Sequence, residues 1–225
     1  MDRKKLLEFF DAKTIKENIH IVGCGAIGSH VAEQLARIGC EKIHLWDFDK
    51  VEPHNITNQM FFEDDIDKPK VEAVAEMMIK INKELKDTLV LHNEALKAPW
   101  LLDGYIFMCV DNIDVRREIV KANKFNPNAI FVCDFRMALT EAQYYSARFV
   151  NKSEVDELLN TMNYTNEEAQ QAVPLSACGV ELSVIYTVKT IVSCGIKNFC
   201  SLIQELPTYT KIFAYMNGEI QIESY

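Results

Sequence analysis

At 225 residues, with 48% hydrophobic and 25% charged side chains, the chain has the balance of a folded protein with one core and not that of a disordered segment. A net charge of −9 disfavours nucleic acid, whose phosphates need clustered Lys and Arg; it would suit a basic protein or peptide partner, though solubility alone accounts for it. No apolar run approaches the roughly 18 residues of a membrane span, and residues 1–13 lack the apolar stretch of a signal peptide, so no membrane partner and a cytoplasmic location are expected.

Taken in order, residues 1–16 read as a charged amphipathic helix with Leu6, Leu7, Phe9 and Phe10 as its apolar side, a lid or a dimer arm. Ile19 to Val22 reads as a strand. It runs into Gly23-Cys24-Gly25-Ala26-Ile27-Gly28, the spacing that turns a strand tightly into a helix and leaves backbone room for phosphates. The helix carries Val31, Leu35 and Ile38 at helical spacing and stops at Gly39. A second strand, Lys42 to Trp46, ends on Asp47, nineteen positions after Gly28, where a ribose-binding carboxylate belongs in a βαβ nucleotide unit.

Pro69 to Lys86 has a helical pattern, with Val71, Val74, Met78, Ile81 and Leu85 on one side, and Leu89 to His92 is a short strand. Tyr105 to Val110 is a continuous apolar run ending at Asp111-Asn112, as a buried parallel strand does when it delivers polar residues to the sheet edge. Next come a helix from Val115 to Lys124 and a strand from Ile130 to Cys133, ending on Asp134. This alternation predicts an α/β fold with a doubly wound, mostly parallel Rossmann-like sheet.

Beyond Asp134 the alternation in Ala142 to Val150 predicts antiparallel strands added at the sheet's C-terminal edge. Residues 160–173 read as a mobile loop crossing the surface, Val180 to Val192 as an apolar helix, and Lys211 to Met216 with Glu219 to Ile222 as a hairpin around Asn217-Gly218. The whole of 1–225 is expected to form a single domain. The seven cysteines are odd in number and no CxxC occurs, so mostly buried thiols are expected and a structural zinc is not.

The glycine motif alone suits dinucleotide oxidoreductases, methyltransferases and mononucleotide enzymes alike. The residues downstream of it are more selective. The run Asp47-Phe48-Asp49-Lys50-Val51, then Asn55, Asn58-Gln59, Lys70 and later Asp111-Asn112 with Arg116, resembles the adenylating family that contains ThiF, MoeB, HesA and the adenylation domains of ubiquitin-activating enzymes. The likeness is close over residues 19–123 and looser beyond. It implies ATP-dependent adenylation of the C-terminal carboxylate of a small ubiquitin-like or sulfur-carrier protein or peptide, releasing pyrophosphate. ATP and Mg2+ are the implied cofactors and a homodimer or heterodimer the implied assembly.

By the same resemblance Gly23, Gly25, Ala26, Ile27 and Gly28 receive the phosphates, Asp47 takes the ribose hydroxyls with Asp49 beside it, and Asn55 and Gln59 line the phosphate side. Lys70 compensates phosphate charge, Asp111 holds Mg2+, and Asn112 lies beside it. Plainer readings stand next to these: Lys70 as a solvated lysine at a helix start, and Asp111 as a helix cap. Cys178 reads either as an inert buried thiol or as an acceptor for the activated carboxylate.

One position departs from the family pattern, which has Arg where this chain has Asn58. A fixed positive charge is then missing unless Arg3, Arg116, Arg117 or Arg136 supplies it. Two other functions are compatible with these features. A non-catalytic partner subunit of an activating enzyme is favoured by Asn58. An NAD-dependent oxidoreductase would use Gly23 to Gly28 and Asp47 equally well, but leaves Asn55, Gln59 and Lys70 without a purpose.

Overall fold

Ile19–Val22 forms β1 near the middle of an eight-stranded sheet, and each of its residues is buried. The computed structural model describes residues 2–98, 100–171, 174, 182–218 and 220–225. A strand paired on both edges and covered on both faces has to be apolar almost throughout, which is why Ile19, Ile21 and Val22 leave room for only one polar residue, His20.

The chain turns from β1 into α1 (Ala26–Ile38), whose buried Ile27, Val31 and Leu35 recur at helical spacing. Gly39 ends it at φ 88°, a left-handed cap in which its N–H donates to the carbonyls of Leu35 and Ala36. Then come β2 (Ile43–Trp46), α2 (Lys70–Ile81), β3 (Val90–His92), β4 (Gly104–Met108), α3 (Ile113–Asn123) and β5 (Ala129–Met137). These strands lie in the order β3-β2-β1-β4-β5, all parallel, so the winding reverses between β1 and β4. In such sheets the crevice at the carboxyl ends of those two strands is where ligands bind.

β6 (Glu141–Arg148), α4 (Lys152–Asn160), α5 (Asn166–Gln171), α6 (Ile185–Ile203), β7 (Lys211–Tyr215) and β8 (Gln221–Ser224) complete the chain. β6, β7 and β8 extend the sheet antiparallel from β5, and β7 and β8 form the expected hairpin. The fold class is the expected one, a doubly wound sheet with antiparallel C-terminal strands. β4 shows how the layers divide: Tyr105 and Phe107 face the core shared with α1, α2 and α6, whereas Ile106 and Met108 face the core shared with α3 and α4.

Several boundaries differ from expectation. Residues 4–9 form hydrogen-bonded turns and not a helix; Leu6 and Leu7 both donate their N–H groups to the Arg3 carbonyl. Phe10 turns into the core at 3% exposure while Phe9 stays 68% exposed, a division one helical face would not produce. The helix expected to reach Lys86 stops at Ile81, because the Asn82 side chain accepts the Glu84 N–H at 3.2 Å and restarts the chain as a 3-10 turn.

The strand expected to end on Asp134 continues to Met137, so Asp134 lies mid-strand and fully buried, between two arginines that neutralise it. The segment 160–173, read as a loop, contains α5 among its described residues. α4, which periodicity does not single out, is capped by Asn151, whose side chain accepts the N–H groups of Ser153 and Glu154. α6 begins at Ile185 and runs to Ile203, longer than the apolar stretch suggests. Among the described residues no helix is long and apolar enough to cross a membrane.

Candidate functional site

The carboxyl ends of β2, β1 and β4 deliver Asp47, the glycine turn and Asp111 to one edge of the sheet. The glycines do three different jobs there. Gly23 has φ +94°, and a Cβ on it would meet the backbone of Cys109 and Val110 at 2.9 Å, so it lets the turn lie against the end of β4. At Gly28 a Cβ would fall 1.8 Å from the Gly23 carbonyl oxygen, so a glycine is needed for α1 to start this close to β1. Gly25 is different: a Cβ there would meet only Gln59 Oε1, at 3.9 Å, so its surroundings are open.

α1 has no side-chain cap at its N-terminus, where Gly25 stands. Its first-turn amides, on Ala26, Ile27 and Gly28, thus lie at a positive helix end beside open space, the arrangement that receives anions. Gln59 faces the same space. Its Oε1 is buried and has no donor, a cost the fold bears at this one place in the turn. The terminal torsion of the side chain is broad and nearly two-fold, so rotation places the NH2 group, a donor, where Oε1 now lies.

Asp47 braces the turn. Its Oδ2 accepts the Cys24 N–H at 2.7 Å and its Oδ1 accepts the Asp49 N–H at 2.8 Å. Burial raises its carboxyl above the ordinary Asp value, against those two hydrogen bonds and the nearby Lys70, which pull it down. Lys70, the first residue of α2, is 9% exposed overall and donates from Nζ to Asp49 Oδ2 at 2.9 Å. Lys70 is therefore a buried, paired group and not a solvated helix-start lysine.

Asn55 is 5% exposed, and its Oδ1 accepts the Glu52 N–H at 2.9 Å, which holds the 3-10 turn Pro53–Thr57. Two residues that the sequence pattern does not mark, Ser29 and His30, fasten the next segment to α1. Ser29 Oγ accepts the Met60 N–H at 3.1 Å, and His30 Nε2 lies 3.2 Å from the Asn58 carbonyl oxygen. Both are fully buried polar side chains on an otherwise apolar helix face, the signal that could have found them.

Asp111 is exposed, just beyond the Cys109-Val110 backbone that Gly23 touches. It is not the cap of α3. Asn112 is, its Oδ1 accepting the N–H groups of Asp114 and Val115 at 2.9 and 3.1 Å. Among the described residues no group of three or more His, Cys, Asp or Glu side chains is arranged to hold a metal ion.

None of the candidate arginines stands beside Asn58. Arg116 is buried and bonds Asp134, Met108 O and Val110 O; Arg117 bonds Asp114, Met162 O and Tyr164 O; Arg136 bonds Asp134 and Thr161. Arg3 packs on Gly39 at the far end of α1 from the glycine turn and pairs with Asp11 at 3.7 Å. Burial raises the thiols of Cys24, Cys40, Cys109, Cys133 and Cys200, which makes them poor nucleophiles; Cys133 is pushed up to about 12 and Cys200 to about 11. Cys178 lies outside the described residues.

The ThiF family model matches residues 9–173, which spans the glycine turn, Lys70, Asp111 and α5. The chain belongs to the ThiF family. It is 31% identical over 119 residues to ubiquitin-like modifier-activating enzyme 5 of Aedes aegypti, a match covering 46% of this chain and 30% of that protein. The same enzyme from Culex quinquefasciatus is 38% identical over 120 residues, with 46% and 30% covered. The chain thus spans about 30% of the length of the curated relatives it matches.

Among solved structures, this ThiF-family chain is similar to PaaA, with a TM-score of 0.71 and 17% identity over 95% of this chain and 65% of that one. It is also similar to MccB of E. coli crystallised with ATP, with a TM-score of 0.68 and 19% identity over the same shares. At such identities the likeness establishes the fold.

Proposed function

We propose that this ThiF-family chain binds ATP at the β1–α1 glycine turn and adenylates the C-terminal carboxylate of a small ubiquitin-like protein or peptide, releasing pyrophosphate. The observation that carries the reading is the open space over Gly25, with an uncapped α1 on one side and the unpartnered Gln59 Oε1 on the other. A phosphate chain would accept from the first-turn amides and, with the Gln59 amide rotated, from its NH2 group.

A carboxylate that attacks the α-phosphate is already ionised at neutral pH, so the residues have only to position it and offset phosphate charge. Asp47, fixed by two backbone donors, presents a carboxylate edge suited to ribose hydroxyls. Lys70 exchanges its partner Asp49 for phosphate oxygen at little cost, because the Asp49 side chain is 50% exposed. Mg2+ bound with ATP supplies electrostatic stabilisation of the leaving pyrophosphate, and Asp111, exposed at the end of β4, is the side chain that would hold it. One carboxylate plus substrate phosphates is a usual Mg2+ ligand set.

Residues 1–225 are read as one adenylation domain, since a single sheet runs through the described elements. A cytoplasmic location and a homodimer or heterodimer belong to the same proposal. The acceptor class is supported by the naming of the curated relatives as ubiquitin-like modifier-activating enzymes and by the MccB structure that contains AMPCPP and MccA. ATP–pyrophosphate exchange in the presence of candidate acceptors with free C-termini is the test: exchange that requires both ATP and acceptor supports the reading, and its absence with every acceptor tried contradicts it.

A second reading, a non-catalytic partner subunit, is favoured by one observation. Asn58 occupies the arginine position of the motif, and the described arginines that could replace it within this chain are bonded elsewhere. ATP binding without exchange, converted to exchange by mixing with a catalytic partner, would identify that role.

A further inference from the structure

The first turn of α3 is capped from two directions. Asn112 takes the N–H groups of Asp114 and Val115, and the remaining first-turn amide, that of Ile113, donates to Asn166 Oδ1 at 2.8 Å. Asn166 opens α5, far along the chain, and its Nδ2 donates to Asp114 Oδ2 at 2.7 Å and to Asn112 Oδ1 at 3.4 Å. Arg117 ties the same segment down again, donating to the Met162 and Tyr164 carbonyls at 2.6 and 2.9 Å. From beneath, Arg116 holds the Met108 and Val110 carbonyls and is paired through Asp134 to Arg136, which grips Thr161. The short turn that carries Asp111 is therefore gripped between Arg116 below and Asn166 at its side.

We propose that Asn166 is a positioning residue for the cation side of the nucleotide site. It sets how Asp111 is presented, and through it the segment 162–171 is coupled to Mg2+–ATP. This rests on the proposed reading of Asp111. Mg2+ accepts little departure from octahedral geometry, so a ligand on a turn released at one side binds it less well. The side-chain hydrogen bonds of Asn166 among the described residues go to Ile113, Asn112 and Asp114 and none to the glycine turn, Asp47 or Lys70, which separates its effect from that of the phosphate-binding residues.

The test measures ATP affinity of the full chain by calorimetry, in Mg2+ and in EDTA, for wild type, Asn166→Ala, and the paired exchange Asn166→Asp/Asp114→Asn. The paired exchange keeps an acceptor for the Ile113 N–H and swaps donor and acceptor across the 114–166 contact, giving up only the long 3.4 Å donation to Asn112 and the exposed Arg117–Asp114 ion pair. Asn166→Ala should lose at least about fivefold of the Mg2+-dependent gain in ATP affinity, keep the EDTA affinity, and show faster amide hydrogen exchange at Ile113. The paired exchange should recover the Mg2+ dependence. A merely structural cap would lower stability and leave the ratio of the two affinities unchanged; that result overturns the inference, as does failure of the paired exchange to restore the ratio. A wild-type protein that binds no ATP in either buffer overturns the site reading and this inference with it.

Discussion

Lys70 Nζ lies 2.9 Å from Asp49 Oδ2, and the Lys70 backbone N–H donates to the Asp49 carbonyl at the same distance, so one residue holds the lysine at both ends. The ammonium is thereby parked at the mouth of the glycine turn with its stem buried. Since the Asp49 side chain is 50% exposed, the pair contributes no more than about 1 kcal/mol to stability. Lys70→Met keeps the buried stem and removes the charge. Its unfolding free energy should stay within about 1 kcal/mol of wild type, while ATP–pyrophosphate exchange should fall about 10²–10³-fold, the usual effect of removing one transition-state donor. Thermal melts and the exchange rate read the two effects separately.

Gly25 and Gly28 should respond oppositely to the same added methyl group. At Gly25 there is space, so Gly25→Ala should leave the melting temperature close to wild type and abolish calorimetric ATP binding by filling the phosphate position. At Gly28 the methyl would sit 1.8 Å from the Gly23 carbonyl oxygen, which forces α1 off β1. Gly28→Ala should cost at least the roughly 1–3 kcal/mol of an overpacked core. Equal melting temperatures for the two variants would contradict this division of labour.

Asp134 is fully buried between Arg116 and Arg136, both also nearly buried. Removing the shared anion strands two cations in the interior. Asp134→Ala should therefore destabilise by about 3–5 kcal/mol in urea titrations, far more than loss of any exposed pair such as Lys97–Glu94.

Acidification should weaken the fold through its histidines. Burial lowers His20, His30, His44 and His92 below the ordinary imidazole value. The unfolded chain then binds more protons than the folded one once the pH drops below about 6.5. Stability is present above that pH and is lost as the pH falls towards the folded-state values. His44 Nδ1 and His92 Nε2 are 3.1 Å apart, so a charge on His44 disfavours one on His92. Asp103 beside His20 and Glu94 near His92 oppose the shift without cancelling it. The urea midpoint should be flat at neutral pH and decline below about 6.5, and His44→Gln should make that decline shallower.

The parallel half of the fold is legible in the sequence because its signals are local: Ile19 to Val22 and Tyr105 to Val110 are continuous apolar runs, and Gly39 stops a helix. In the antiparallel half the β7–β8 hairpin is equally local, marked by Asn217-Gly218. Sequence and structure part where a distant partner decides the outcome. Asp134 looks like a strand end until Arg116 from α3 joins Arg136 of its own strand in neutralising it, and α5 has no apolar stripe because Asn166 and Arg117 hold it to α3 by polar contacts. Around the glycine turn, Asp47 accepts from Cys24 and Asp49, and Asp49 accepts from Lys70. Ser29, His30 and Asn166 hold distant segments by side-chain hydrogen bonds; the first two leave a trace as polar residues on an apolar helix face, and Asn166 leaves none.

Calorimetric titration of Mg2+–ATP and of NADH into the same wild-type protein, repeated with Gly25→Ala, tests the nucleotide chemistry most directly. ATP should bind, more tightly with Mg2+ than in EDTA, and lose binding in Gly25→Ala, while NADH shows no comparable heat. Saturable NADH binding with no response to ATP would contradict the assignment.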